Sequence, residues 1–147
     1  MKRTLSALVL LTLIISCSSI KERLAIKECK FKLVSVSPHS FTFSNLKVDF
    51  DIKVDNPNNI DAILDKFAYT FYANNTDVFS GTTGKTVSIK AKKSETFTTT
   101  ITLDYSKIGQ ALAEAMRLGS AAYRMDARAY ISTVLGEISY PVSIEVN

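Results

Sequence analysis

The residues that could do chemistry are few, and the first is His39, the single histidine of the 147-residue chain. A two-histidine metal site or a Ser-His-Asp triad would depend on this one side chain. His39 falls in the segment Ser37–Ser40, which contains Pro38 and which we predict to be a surface turn. We therefore expect neither catalysis nor metal binding at His39.

A pair of carboxylates, Asp49 and Asp51, is the second candidate for chemistry. On a strand their side chains would share one face about 7 Å apart, which superficially resembles paired catalytic carboxylates. Lys47 and Lys53 flank them on that face, however, and a solvated surface of alternating charge accounts for all four residues.

A glycine-rich phosphate-binding loop ends in Gly-Lys-Ser/Thr at the start of a helix, and no such sequence opens a helix after Gly81 and Gly84. We predict that both are turn glycines. The sequence therefore predicts no catalytic residue, no metal site and no cofactor.

The first residues have the organisation of an export signal: Lys2 and Arg3, then an apolar run from Leu5 to Ile15, then Ser16 before Cys17. The run is shorter than the roughly 20 apolar residues that cross a bilayer. Its end, Ile-Ile-Ser-Cys, resembles the bacterial lipobox, whose cysteine is diacylated on sulfur and freed by signal peptidase II. Two or three acyl chains would hold a protein firmly on a membrane.

We therefore predict a signal peptide over residues 1–16, lipidation of Cys17, and a polar, lipid-anchored tether over 17–27. The alternative is ordinary secretion with Cys17 incidental. By the sorting pattern of such lipoproteins, Ser18 implies a bacterial outer membrane location, with the domain facing the periplasm. Cys29 would then have no cysteine to pair with, and we expect a small half-buried residue, or a reactive thiol if Lys27 and Lys30 lower its pKa.

The alternation of apolar and polar residues predicts that most of the chain forms strands, most clearly between Leu46 and Asn58. Apolar residues alternate there with charged ones, as on a strand with one buried and one wet face. Pro57 has no N–H for a ladder and disfavours a helical Asn56, so the strand should end at Asn56. We expect Asn56 and Asn58 to form the turn that follows.

Further strands alternate in the same way before and after this one. A change of phase after Leu33 suggests a bulge. Phe67, Tyr69 and Phe71 share one face of a strand that ends in the predicted hairpin turn Asn74–Asp77. Residues from about 104 to 118 have apolar side chains spaced by four, with a capping Asp104 and a closing Gly119, which predicts one short helix. About seven or eight antiparallel strands over 28–147 predict an all-β sandwich.

In this order the elements resemble the late-embryogenesis-abundant (LEA) type 2 family, LEA14-like, whose domain is also called the water-stress and hypersensitive-response (WHy) domain. The sharpest point of resemblance is Asn56-Pro57-Asn58 after its alternating strand. The resemblance implies an immunoglobulin- or fibronectin-III-like sandwich, an association with desiccation and stress, no established catalytic residues, and bacterial relatives that are often exported lipoproteins.

The formal charge of +4 is too small and too evenly mixed to indicate nucleic acid binding. Lys90, Lys92 and Lys93 form a basic turn that could contact lipid head groups, although a solvated turn explains them as well. We expect a non-catalytic cell-envelope protein, protective or binding, whose partners are the membrane and an unknown envelope protein or lipid. The alternative is a carrier of lipid or another apolar ligand, held between the sheets near Phe67, Tyr69 and Phe71 or beneath the helix.

Overall fold

The computed structural model describes residues 18–120 and 122–145 of the chain. The predicted signal peptide and Cys17 lie outside the described residues. Residues 18–24 form helix α1, which continues into the 3-10 turn Ala25–Glu28.

The polar tether predicted up to residue 27 is therefore wrong in conformation, because the helical segment packs on the domain. Ala25 and Ile26 are 8% and 1% exposed and belong to the main core. Arg23 donates from Nε to Asp65 Oδ2 at 3.0 Å. The folded unit thus includes residues ahead of the predicted boundary at residue 28, because the burial of Ala25 and Ile26 and the Arg23–Asp65 ion pair hold this segment on the barrel.

Ten strands and a second helix follow along the chain. They are β1 Lys30–Phe41, β2 Asn45–Asp55, β3 Ala62–Leu64, β4 Lys66–Ala73, β5 Thr76–Thr82, β6 Val87–Ile89, β7 Ser94–Asp104, α2 Tyr105–Leu118, β8 Tyr123–Thr133, β9 Gly136–Val142 and β10 Ile144–Glu145.

Eight of these strands form a single sheet in the order β10-β1-β2-β7-β5-β4-β8-β9, and β3 pairs with β6 alone. The two outermost strands, β9 and β10, are separated in the chain by Ser143 only. The sheet must therefore curl until its ends nearly meet, which gives an almost closed barrel. The predicted mostly-β fold with a short helix is confirmed in this form.

Strand β1 confirms one prediction and overturns another. Its register against β2 shifts between Leu33 and Ser35, where the change of phase predicted a bulge. The predicted turn at Ser37–Ser40 is wrong, because the strand continues to Phe41. Pro38 is tolerated since this part of β1 pairs only with β2 and a second register shift follows directly.

Strand β2 has the predicted two faces and lies in the middle of the sheet, between β1 and β7. Val48, Ile52 and Val54 are buried, and the sheet ladder stops at Asp55, one residue before Asn56. On the outer face, threonines of β7 donate across the strands to the carboxylates of β2.

Aromatic rings fill the interior. Phe67 is fully buried, stacks on Phe31 at 5.4 Å between ring centroids, and meets Phe97 edge-on at 5.5 Å. Tyr69 lies beside Gly81, which the sequence assigned to a turn. That assignment is wrong: Gly81 is within β5 and makes the pairing with Ile101 that joins β5 to β7.

The hairpin and helix predictions are confirmed. Asn74 and Asn75 join β4 to β5 with φ of 48° and 65°, as a type I′ turn requires. Asp104 caps α2 by accepting from the Ser106 N–H at 2.9 Å, and Gly119 closes it with φ of 66°. The apolar stripe of α2 is not covered, however: Leu112 and Met116 are 61% and 76% exposed.

Candidate functional site

The barrel has two ends that differ in what they present. At the end that we call the α1 end, β2 finishes at Asp55, β7 begins at Ser94, and the 3-10 turn that follows α1 packs on the core. At the other, the α2 end, Tyr105 donates its N–H to Ser44 O in the β1–β2 turn at 3.0 Å. Eleven residues of β2 separate the two ends, about 35 Å at the usual rise per residue.

Asn56 is the centre of the α1 end and is 3% exposed. Its side-chain amide donates to Ile60 O at 2.9 Å, Ile89 O at 3.0 Å and Lys90 O at 3.3 Å. Its Oδ1 accepts from the backbone N–H of Asn58 at 3.0 Å, which forms an Asx-type turn. The sequence predicts turn residues at Asn56 and Asn58 but does not indicate the buried network that ties β2 to the end of β6.

Asn58 extends this network to the start of the domain. Its Nδ2 donates both to Asn56 Oδ1 and to Ala25 O, each at 2.9 Å. The motif Asn56-Pro57-Asn58 therefore joins three segments that are far apart in sequence: the strand β2, the turn after β6, and the 3-10 turn that follows α1. This arrangement is structural, because the polar side-chain atoms are used within the protein.

The basic turn of Lys90, Lys92 and Lys93 lies beside this network, but its lysines differ. Lys90 pairs with Asp61 Oδ2 at 2.7 Å, and this hydrogen bond raises the pKa of Lys90 and lowers that of Asp61. Lys92 has φ of 57° and donates to Pro57 O at 2.6 Å, and no carboxylate of the described residues pairs with its charge. Lys92 and Lys93 are exposed, so these two keep a positive charge available to an anion.

The structure brings His39 close to a carboxylate on the solvent-accessible face of the sheet. His39 Nδ1 is 3.3 Å from Asp49 Oδ2, with the two side chains 44% and 33% exposed on the outer face of the sheet. Asp49 also accepts from Thr100 Oγ1, and Asp51 accepts from Ser35 and Thr98. The hydroxyls of Ser35 and Thr98 lower the pKa of Asp51. Both carboxylates are thus hydrogen-bonded within a polar sheet surface.

At the α2 end, a groove of about 210 Å³ runs between the helix and the β4–β5 hairpin. It is lined by the apolar residues Phe71, Ala73, Val78, Ile108, Ala111, Leu112 and Ala115, with Asn74 at its edge. Of the predicted aromatic set, only Phe71 faces this groove, because Phe67 and Tyr69 are packed in the core. Of the two locations expected for an apolar ligand, the one near Phe67 and Tyr69 is filled by core packing, and the one beneath the helix is open.

Cys29 is half-buried where the sheet closes, beside a cleft of about 380 Å³ that Phe31 and Tyr140 also line. Its Sγ donates to Ala25 O at 3.6 Å. Burial raises the pKa of the Cys29 thiol to about 11, and the charges of Glu28 and Asp55 act in the same direction. This favours the inert residue over the reactive thiol, because burial raises the pKa that Lys27 and Lys30 were expected to lower.

Cys29 should consequently resist alkylation in the folded protein. Near neutral pH, we expect iodoacetamide to modify Cys29 slowly in native protein and rapidly after denaturation, because only the thiolate reacts. The native rate should rise towards a midpoint near the pKa of about 11, which mass spectrometry of quenched samples would follow. A native rate equal to the denatured rate would contradict the assignment.

The chain matches a known protein family over most of the sheet. The family model for the late embryogenesis abundant protein, LEA_2, matches residues 51–146, from the middle of β2 through the rest of the described sheet. The chain belongs to the LEA_2 family. The matched segment includes the Asn56–Asn58 network, the basic turn and α2.

Solved structures share the LEA_2 fold at low sequence identity. A crystal structure of a protein from Archaeoglobus fulgidus has a TM-score of 0.55 and 18% identity, covering 77% of this chain and 99% of that one. The solution structure of a protein from Arabidopsis thaliana also has a TM-score of 0.55 and 18% identity, covering 77% and 76%. No curated protein sequence matches the chain significantly.

Two further features bear on what this LEA_2 domain presents. In residues 18–120 and 122–145, no helix is long and apolar enough to span a membrane. Over the same ranges, no three histidine, cysteine or acidic side chains lie close enough together to hold a metal ion.

Proposed function

We propose that this LEA_2 protein is a non-catalytic, lipid-anchored protective or binding module of the bacterial cell envelope, acting in desiccation, osmotic stress or envelope maintenance. The LEA14-like or WHy subtype and an immunoglobulin- or fibronectin-III-like sandwich fold belong to the same proposal. Support comes from the family, from the lipobox-like sequence before Cys17, and from an outer face whose carboxylates bond to threonines instead of facing a cleft.

One observation carries the membrane part of this proposal: the folded unit extends back to Ser18, the residue bonded to Cys17. A helix rises about 1.5 Å per residue, so residues 18–24 place Ser18 within roughly 10 Å of the buried Ala25. Acyl chains on Cys17 would therefore hold the α1 end directly at the bilayer surface. Ser18 favours the outer membrane, with the domain facing the periplasm.

Lipidation can be tested by changing Cys17 alone. We expect Cys17→Ala to move the protein from the membrane fraction to the soluble one or to stop its processing, because the acyl chains provide most of the membrane affinity. Globomycin should cause the unprocessed precursor to accumulate. Cys29→Ala is the matched control and should fractionate as the unmodified protein does. A Cys17→Ala protein that remains wholly with membranes would refute the anchor.

The stress role requires a separate experiment in the host. A deletion strain should lose viability on drying or osmotic shock. Returning the wild-type gene to the chromosome should restore viability, whereas returning the Cys17→Ala gene should not. Unchanged survival of the deletion strain would remove the stress part of the proposal and leave the envelope part. Affinity capture of the lipidated protein from its own envelope would then identify a partner protein.

A second candidate function is binding of an apolar ligand in the groove beneath α2. The groove is apolar and open, but its volume of about 210 Å³ is below the usual range for ligand pockets, which begins at about 300 Å³. It would suit a short acyl segment better than a whole lipid. Native mass spectrometry of the purified protein should show a ligand mass that Ala115→Trp abolishes. The absence of any such mass would exclude a carrier role.

A further inference from the structure

The hairpin between β8 and β9 ends in two apolar residues that contact little of the domain. Val134 and Leu135 are 81% and 96% exposed. The turn is organised by its neighbours: Thr133 Oγ1 donates to Gly136 O at 2.8 Å and accepts from the Leu135 N–H at 3.2 Å, and Gly136 has φ of 123°. Folding therefore places no demand on the apolar character of Val134 and Leu135.

The β4–β5 hairpin, whose turn also has two residues, makes the contrast clear. Its turn residues are Asn74 and Asn75, which are polar and suit positive φ. Exposed turns favour such residues, and adjacent large apolar side chains at a tip mark a surface that is covered by something else. The Val134–Leu135 tip is therefore a candidate contact surface.

The tip projects from the α1 end of the barrel. Asp65 joins the two features, since its Oδ2 accepts from Arg23 Nε in α1 at 3.0 Å and from the N–H of Ser132 at 2.7 Å. Ser132 is two residues from Val134. The tip thus lies beside the helix whose first described residue is bonded to Cys17.

The same end also carries uncompensated positive charge. The turn with Lys92 and Lys93 contacts the Asn58 segment, since Lys92 donates its N–H to Asn58 O at 3.1 Å. Asn58 in turn bonds to Ala25 O at the end of α1. An apolar tip and basic residues at the same end of the barrel match the interfacial region of an anionic bilayer, which offers hydrocarbon beneath acidic head groups.

We propose that Val134 and Leu135 insert into the surface of an anionic phospholipid bilayer beside the acyl chains on Cys17, while Lys92 and Lys93 contact the head groups. This inference rests on the proposed lipid anchor and adds an orientation to it: the barrel stands with its α1 end down and its α2 end towards the periplasm. The exposed Phe41 and Phe43 then point away from the membrane.

The test uses the full-length lipidated protein in vesicles of phosphatidylethanolamine and phosphatidylglycerol. A nitrobenzoxadiazole label is placed at Leu135→Cys or, as the matched control, at Phe43→Cys on the α2 end. Cys17 is acylated and Cys29 has a raised pKa of about 11, so labelling near neutral pH is directed to the introduced cysteine. Lipids carrying a quencher on the acyl chain report contact with hydrocarbon.

We expect several-fold stronger quenching at residue 135 than at residue 43. In a second measurement, energy transfer from the label at residue 43 to acceptor lipids should rise several-fold when Val134→Ser and Leu135→Ser are added, because the released barrel can tilt. Both changes are at exposed positions and should leave the thermal unfolding midpoint unchanged. Protein that floats with the vesicles but shows equal quenching at both positions overturns the insertion and leaves the anchor intact. Protein that does not float overturns both.

Discussion

Replacing Asn56 by Ala should lower the free energy of unfolding by about 3 kcal/mol or more. The side chain is 3% exposed and serves three carbonyl oxygens, of which Ile89 O is itself buried. Each buried acceptor that loses its donor costs about 1–3 kcal/mol. Urea denaturation followed by circular dichroism measures the change, with the denaturant slope as the check that the unfolding remains two-state.

Two further variants show whether the network itself is responsible. Asn59→Ala, at an exposed position in the same segment, should change stability by no more than about 0.5 kcal/mol. Asn56→Asp should be more damaging than Ala at neutral pH, because a carboxylate would face three carbonyl oxygens. Burial would raise the pKa of this carboxyl, so its protonated form is favoured in the folded state and stability should increase as the pH is lowered. Equal stability of Asn56→Ala and Asn59→Ala would contradict the structural role.

Gly81→Ala should destabilise the barrel by about 3 kcal/mol, at the upper end of the usual cost of overpacking. A Cβ atom at this position would lie 2.4 Å from Tyr69 Oη and 2.8 Å from Ile101 Cγ2. Both neighbours are buried, and the Gly81–Ile101 pairing joins β5 to β7. Thermal and urea denaturation of the purified variant measure the loss.

Gly84→Ala is the matched control, because a Cβ at Gly84 meets no atom within 4 Å. Tyr69→Phe should by itself be close to neutral, since within the described residues the buried Tyr69 hydroxyl has no partner in good hydrogen-bond geometry and only the nearby Thr99 hydroxyl acts on it. Burial also raises the pKa of Tyr69 to about 12, which keeps that hydroxyl neutral. Combined with Gly81→Ala, Tyr69→Phe should recover part of the lost stability in a double-mutant cycle. Full additivity would exclude the proposed close contact.

Local patterns predicted much of this fold because they report on local geometry. The alternation that ends before Pro57 located β2, the Asn74–Asn75 pair located a hairpin, and Asp104 with Gly119 located α2 almost to the residue. Each of these signals is complete within a few residues of the chain. The same holds for the bulge after Leu33.

The features that sequence reasoning missed depend on partners that are distant in the chain. Asn56 reads as a turn residue, and only the fold brings Ile89, 33 residues away, to its amide. From the sequence, Arg23 is indistinguishable from a residue of a polar linker, and only the fold shows its ion pair with Asp65. Gly81 reads as a turn glycine because nothing local indicates that Tyr69 needs its space.

The candidate site was predictable only in part for the same reason. The basic turn was located correctly, but the pairing of Lys90 with Asp61 reduces its free charge to Lys92 and Lys93. Val134 and Leu135 gave no signal in the period-2 pattern, since their exposure follows from the position of the hairpin beyond the core. A search for large apolar residues at predicted turn positions would have found them.

The incomplete closure of the barrel leaves backbone groups on β1 and β9 without a neighbouring strand, and such edges invite pairing between molecules. Two of the chain's three prolines lie on these strands: Pro38 on β1, outside the short pairing with β10, and Pro141 on β9. Proline offers no N–H to an incoming strand, and the second bulge of β1 adds a local twist. The opening in the sheet is thereby protected against edge-to-edge aggregation, which would matter if the proposed lipid anchor concentrates the protein on a membrane surface as water is lost.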